Sequence, residues 1–173
     1  MLDNVQEVLD EFKAYVIQQA KSNLTRMKKN SSKTLYNSID GFVKKYKNSI
    51  SIYFEMEDYG FYQDQGVSGT KKKYDTPYSY KDGVQNRPSP RHFDKWVIRK
   101  GLAPRKQGGK FASRSGIKFA LAYHIQKYGI KPSLFFTKPF EAAFKKLPDE
   151  LIEKYGLDVE QLFESITKDN FKK

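Results

Sequence analysis

The chain is predicted to fold as an α+β protein, with a long N-terminal helix and C-terminal helices packed on a small antiparallel sheet, and a long basic loop insertion. Three patterns carry that prediction. Leu2, Val5, Val8, Leu9, Phe12, Val16, Ala20 and Leu24 recur at helical spacing. Ile50, Ile52, Phe54 and Met56 alternate with Ser51, Tyr53 and Glu55, as in a half-buried strand. Ile117, Ala120, Leu121, His124, Ile125 and Tyr128 mark the apolar face of a second helix, which Gly129 suits as a left-handed cap and Pro132 cannot continue.

Taken in order, the first helix has Asp3 or Asn4 available as a cap, and Lys21, Arg26, Lys28 and Lys29 favour the negative end of its dipole. Asn30 to Lys33 is polar punctuation, after which Leu35 and Ile39 suggest a short helical turn ending at Gly41. Phe42 to Tyr46 reads as a strand, Asn48 and Ser49 as a hairpin turn, and Phe61 to Val67 as a further strand. Gly69 to Pro90, with Pro77, Pro88 and Pro90, is expected to be a loop. Phe93, Trp96 and Val97 share one face of a short helix over 91–100, and Ala103 to Ser115 is a second loop. Leu134, Phe135 and Phe136 should be extended and buried, and with Phe140 they form a candidate structural core that holds the last helices to the sheet. Phe140 to Leu147 and Leu151 to Phe163 are expected as amphipathic helices separated at Pro148, with a frayed end from Thr167 to Lys173.

At 173 residues, with 38% hydrophobic and 15% aromatic residues, the chain is expected to form one domain over 1–173, in which 70–116 is the basic insertion. There is no cysteine, which excludes disulfides, thiolate metal sites and cysteine nucleophiles. Asp3, Glu7, Asp10 and Glu11 stand where a signal peptide needs a basic start and an apolar core, and no run approaches membrane-spanning length. The expected setting is a cytoplasm, or a particle assembled in one, with no membrane partner.

Net charge is +12, and its placement is uneven. From Thr70 to Lys118 there are fourteen basic residues against Asp75, Asp82 and Asp94, so nearly the whole excess lies in one section. Interleaved Tyr74, Tyr78, Tyr80, Phe93, Trp96 and Phe111 give it rings that can stack on bases beside cations that can meet phosphates. A solvated loop facing an acidic protein surface explains the same charge. Lys71, Lys72, Lys73, Arg87, Arg91, Arg105, Lys106, Lys110 and Arg114 are the residues expected to face DNA or an acidic partner.

Other chemistry finds little footing. Gly66, Gly69, Thr70 and Lys71 lack the spacing of a phosphate-binding loop. His92 and His124 have no acidic neighbour at metal-ligand spacing. Glu55, Glu57, Asp58 and Asp64 are the one acidic group near the sheet; carboxylates there can hold Mg²⁺ in a nuclease, and strand-end solvation or a salt bridge is the commoner use. No catalytic, cofactor-binding or metal-binding residue is therefore assigned, and no enzyme activity is expected.

Three pieces of sequence carry a family resemblance. Gly116 to Phe140, GIKFALAYHIQKYGIKPSLFFTKPF, resembles the closing motif of the head-to-tail joining proteins (neck or tail-completion proteins, head–tail connectors) of tailed double-stranded DNA bacteriophages. Thr34 to Ile39 resembles that family's early Leu-x-x-Ser-Ile element, and Tyr59 to Thr70, YGFYQDQGVSGT, its aromatic-acid-Gly-Val-x-Gly-Thr strand and turn. The Tyr-x-x-Tyr-x-Asp-x-Gly-Val form is similar to those in phages of Bacteroidota, including the crAss-like group. Lys71 to Ser115 is longer than the turn that joins the last two pieces in compact members.

The resemblance implies a structural virion protein: a ring of 6 or 12 copies between portal or adaptor ring and tail, lining or sealing the DNA channel and touching packaged DNA without sequence preference. It would be assembled in the bacterial host cytoplasm. Tyr59, Tyr62, Asp64, Trp96 and Phe111 are the expected subunit or neighbouring-ring contacts. The alternative is a DNA-binding or metal-dependent DNA-cleaving protein that uses the basic section, with Glu55 and Asp64 as metal ligands.

Overall fold

The computed structural model describes residues 3–46, 49–103, 109, 113–153 and 155–156. The fold is α+β, built on a long N-terminal helix and a small antiparallel sheet. The chain divides into two compact units, one comprising Met1–Met27, Tyr36–Glu57 and Phe135–Lys173, the other Lys28–Leu35 and Asp58–Leu134. Among the described residues, no helix is long and apolar enough to cross a membrane.

In the first unit, α1 (Asp3–Arg26) runs 24 residues, about 36 Å at 1.5 Å per residue. Leu2 lies outside the described residues; the other apolar positions read from the sequence are buried: Val5, Val8, Leu9, Phe12 and Val16 join Leu147 in one cluster, and Ala20 and Leu24 are fully buried as well. The short helix α2 (Thr34–Ser38) leads into β1 (Asp40–Lys45), which pairs antiparallel with β2 (Ile50–Glu55). Val43 lies opposite Ile52, and both pack partly buried on the α1 cluster with Ile50 and Phe54. On the other sheet face Phe42 stacks on its cross-strand partner Tyr53 at 5.0 Å. Residues 47 and 48, including Asn48 of the expected turn, lie outside the described residues.

The unit is closed by α6 (Thr137–Phe144). Phe140 meets Phe12 and Phe54 edge-on at 5.6 and 5.9 Å, and Phe136 meets Phe54 at 5.2 Å, which is the favoured geometry for aromatic quadrupoles. Of the four residues expected as core, Phe135 is wholly buried, and Leu134, Phe136 and Phe140 are partly buried. The segment is not extended, however. Leu134 has φ +50 and Phe136 is already in the right-handed helical region, so the chain turns directly into α6. That helix therefore starts before Phe140 and ends at Phe144, and the break before the next helical stretch, residues 147–153, falls at Lys145–Lys146. Pro148 sits in the first turn of that stretch, where a missing N–H costs nothing. Most of the expected helix Leu151 to Phe163 and the end from Thr167 lie outside the described residues.

In the second unit, the expected strand Phe61 to Val67 is instead helix α3 (Tyr59–Gln65) followed by an isolated bridge at Val67. Its buried residues are Gly60 and Asp64, one helical turn apart, while Tyr59, Phe61 and Tyr62 face outward. Aromatic content suggested a strand, but the rings do not supply its buried face. After a loop with a 3₁₀ turn at Val84–Asn86, a second 3₁₀ turn (Pro90–Phe93) opens α4 (Asp94–Arg99). Then α5 (Arg114–Tyr128) begins at Ser113, whose side chain caps the Gly116 amide. Arg114 and Ser115 thus belong to a helix and not to the second loop.

Candidate assembly interface

The site forms where two chain segments far apart in sequence close on each other, backbone to backbone. Val67 and Ile130 exchange both amide hydrogen bonds, at 2.9 and 2.8 Å. The amides of Thr70 and Lys71 donate to the carbonyls of Gln126 and Lys127, at 2.9 and 2.8 Å, and the Lys72 amide also reaches Lys127. A helix leaves its last carbonyls without internal partners; here the Thr70–Lys72 backbone supplies them for α5. In the same way Asp64, near the end of α3, has its carbonyl capped by the amides of Ser133 and Leu134, both at 2.9 Å. The two helices end on each other's following segments.

Glycine makes this approach possible. Gly129 has φ 72 and ψ −165, a region essentially reserved for glycine, and a Cβ there would lie 2.0 Å from the Val67 carbonyl oxygen. A Cβ at Gly69 would lie 2.3 Å from the Lys127 carbonyl oxygen. The glycine-bearing motifs Tyr59 to Thr70 and Gly116 to Phe140 are thus the two halves of one junction. Of the third piece, Leu35 and Ile39 are both buried.

Polar side chains complete the unit. Gln126, 2% exposed, donates its amide to the carbonyls of Lys81 (3.0 Å) and Gly83 (2.6 Å) and accepts from Arg87 Nε at 3.1 Å. Arg87 also lies over the Tyr123 ring at 5.2 Å. Buried Ser68 binds both the amide and the carbonyl of Tyr74 through its hydroxyl, and Thr76 Oγ1 donates to the Gly66 carbonyl. The α5 face differs accordingly from the one expected: Ile117, Ala122 and Gln126 are buried, while Ala120, His124 and Tyr128 are exposed. Gln126 is held on this face by the loop carbonyls of Lys81 and Gly83, partners that hydrophobicity does not report.

Two grooves flank Tyr59. One, of about 620 Å³, is lined by Tyr59, Tyr62, Tyr78 and Tyr80 with Val67 and Ile130; Tyr62 meets Tyr78 edge-on at 4.6 Å, and burial pushes the Tyr80 phenol up. The other, of about 400 Å³, has Tyr59 and Trp96 in its walls among Lys28, Lys29, Lys33, Arg99 and Lys100. Its lining contains no carboxylate. Burial pulls the Lys29 ammonium below the usual lysine range, only partly offset by Asp64.

The expected contact residues separate into three groups. Tyr59, Tyr62, Trp96, Lys71, Lys72, Lys73, Arg91 and Arg114 are at the surface. Asp64 is buried and Arg87 is half-buried on Gln126, so neither is presented as a free surface charge. Arg105, Lys106, Lys110 and Phe111 lie outside the described residues. Of the proposed metal ligands, Glu55 belongs to the first unit and Asp64 to the second, and among the described residues no three of His, Cys, Asp and Glu form a metal-binding group. Sequence reasoning missed Gln126 as an organising residue, and it treated Lys28, Lys29 and Lys33 as a helix end and a linker. The signal available was the run Lys-Lys-Asn-Ser-Ser-Lys itself. Comparisons with protein-family models, with curated proteins and with solved structures find no match to this chain.

Proposed function

We propose that this chain is a structural virion protein, one subunit of a homo-oligomeric ring in the neck of a tailed bacteriophage, connecting portal or adaptor ring to tail around the DNA channel. The observation that carries the reading is the junction. Two of the three sequence pieces that resemble head-to-tail joining proteins, separated by the long basic section, hydrogen-bond to each other through backbone and glycine contacts. A chance likeness of two unrelated loops would not require them to fit.

The surface supports an assembly role. Tyr59, Phe61 and Tyr62 project from α3 beside the tyrosine-lined groove, and exposed aromatic groups of this kind suit contact with a neighbouring subunit. Lys71, Lys72 and Lys73 are all exposed next to the junction, placed to meet DNA phosphates or an acidic neighbouring ring. Metal-dependent DNA cleavage draws no support from Asp64, whose burial removes it from an incoming strand.

Imaging of virions that carry this protein tests the proposal. A multi-copy ring in the collar between capsid and tail is the expected result. A single copy there, or a position elsewhere in the particle, would overturn it. The variant with Lys71, Lys72 and Lys73 all changed to Ser should fold normally and lower infectious-particle yield or leak packaged DNA; normal values for both would mean that these lysines have no partner.

A further inference from the structure

We infer that the groove between the Lys28–Lys33 loop and α4 is a binding site for single-stranded nucleic acid, with phosphates held by its lysines and a base stacked on Trp96. Five cations, Lys28, Lys29, Lys33, Arg99 and Lys100, line it without a carboxylate, although Asp and Glu make up 20 residues of the chain. Elsewhere in this unit, lysines facing inward are paired: Lys118 with Asp94 at 2.9 Å and Lys127 with Asp82 at 3.2 Å. Buried Asp64 acts on Lys29 but offsets its desolvation only in part, and no carboxylate is among the residues that line the groove.

The loop is built to do so. Lys28 and Lys33 both adopt positive φ, 55 and 56, a conformation that costs a residue with a Cβ and persists only where the surroundings impose it. Lys100 Nζ donates to the Lys28 carbonyl at 3.2 Å, and the Lys33 amide donates to the Asn30 carbonyl at 3.1 Å. These contacts hold the three loop lysines around one opening. Lys29 is more desolvated than its neighbouring charges offset, so an incoming anion would relieve a cost already present in the folded chain.

The rings choose among polyanions. Trp96 is 38% and Tyr59 44% exposed, and both stand in the groove wall. A duplex keeps its base faces stacked inside and offers them nothing. An acidic peptide brings carboxylates without a flat partner. A single strand brings both a phosphate per nucleotide and a free π face, the combination used by proteins that bind single strands without sequence preference. The site does not include Lys71, Lys72 or Lys73; it shares Tyr59 with the surface proposed for subunit contact, so its test is oligonucleotide binding by the free chain and not assembly.

The chain has one tryptophan, so intrinsic fluorescence reports on this groove directly. Titrating the full chain with an oligothymidylate should quench Trp96, and labelled oligothymidylate should bind more weakly as salt rises. Trp96→Ala should weaken that binding by about ten- to a hundred-fold, the range for one base–aromatic stack, while Trp96→Phe recovers most of it. Changing Lys28, Lys29 and Lys33 together to Ser should flatten the slope of log affinity against log salt by about 2, at about 0.7 per phosphate contact for single strands. Changing Lys71, Lys72 and Lys73 should leave the quenching intact. Duplex DNA or polyglutamate displacing the oligonucleotide at equal concentration would overturn the proposal, as would affinity insensitive to both Trp96→Ala and the loop variant in protein whose melting temperature is unchanged.

Discussion

The two units of this chain are held together by different physics. The first has an apolar cluster drawn from one face of α1, the inner face of the hairpin and α6, closed by edge-on phenylalanines. The second also buries Leu35, Val67, Val97, Ile117 and Ala122, but adds backbone hydrogen bonds between loops and the buried or half-buried Gln126, Ser68 and Thr76, each satisfied by a particular carbonyl or amide. Burial of apolar area is tolerant of direction, whereas a buried amide is stabilising only if its partners are in place. The first unit should therefore lose stability in proportion to volume removed, and the second in proportion to hydrogen bonds broken.

The largest expected effect tests the apolar side of that contrast. Phe135 has no exposed surface, and truncating a buried phenylalanine typically costs about 3–5 kcal/mol. Phe135→Ala should show this in chemical denaturation, and Phe136→Ala, whose ring is only partly buried, should cost less. Phe136 packs on the α1 cluster and Phe135 is buried outside it; equal and negligible shifts for both would mean that the first unit does not depend on these phenylalanines.

A smaller effect tests the polar side. Gln126→Leu keeps the side chain's approximate size but strips the partners from two loop carbonyls and from Arg87 Nε, a loss of about 1–3 kcal/mol. Hydrogen exchange should quicken in residues 67–87 and 124–130 and stay unchanged along α1. If leucine were as stable as glutamine, the second unit would be packed like the first.

The smallest effect concerns pH. Asp94 accepts from Lys118 at 2.9 Å, and this hydrogen bond, more than the nearby charges, holds its carboxyl below the usual range despite some opposing desolvation. A depressed carboxyl contributes stability above its unfolded value, about 3.9, and loses it as pH falls through the folded value. The parent should melt slightly above Asp94→Asn at pH 7, and the gap should close in acid. A gap that persists when the carboxyl is protonated would show that its charge is not the cause.

The same contrast explains what could be read from sequence. The face of α1 and the alternation in β2 are periodic, and periodicity is the signature of apolar burial, so Val5 through Leu24 and Ile50 through Phe54 were legible directly. The end of α5 at Gly129 was legible because glycine and proline mark backbone geometry. Tyr59–Gln65 was not, since its inward residues are Gly60 and Asp64 and its rings point out. Nor was the buried face of α5, where Gln126 answers to carbonyls of the Lys81–Gly83 loop that no local pattern reveals. At the candidate site the motifs could be recognised one by one, but the cationic groove depends on lysines that precede it by a long stretch of chain.

The order of the two units along the chain has a consequence for synthesis. As α1 leaves the ribosome, Val5, Leu9, Phe12 and Val16 can be covered first only by the hairpin; Phe136, Phe140 and Leu147, which complete the cluster, follow after the whole second unit has been translated. Until then a sticky helical stripe is part-dressed while Asp58–Leu134 has all the residues it needs from its own long segment to begin folding. The nascent chain should therefore be at its most chaperone-dependent while that middle segment is emerging, and a stall before Phe135 should leave a product prone to aggregate through its first helix.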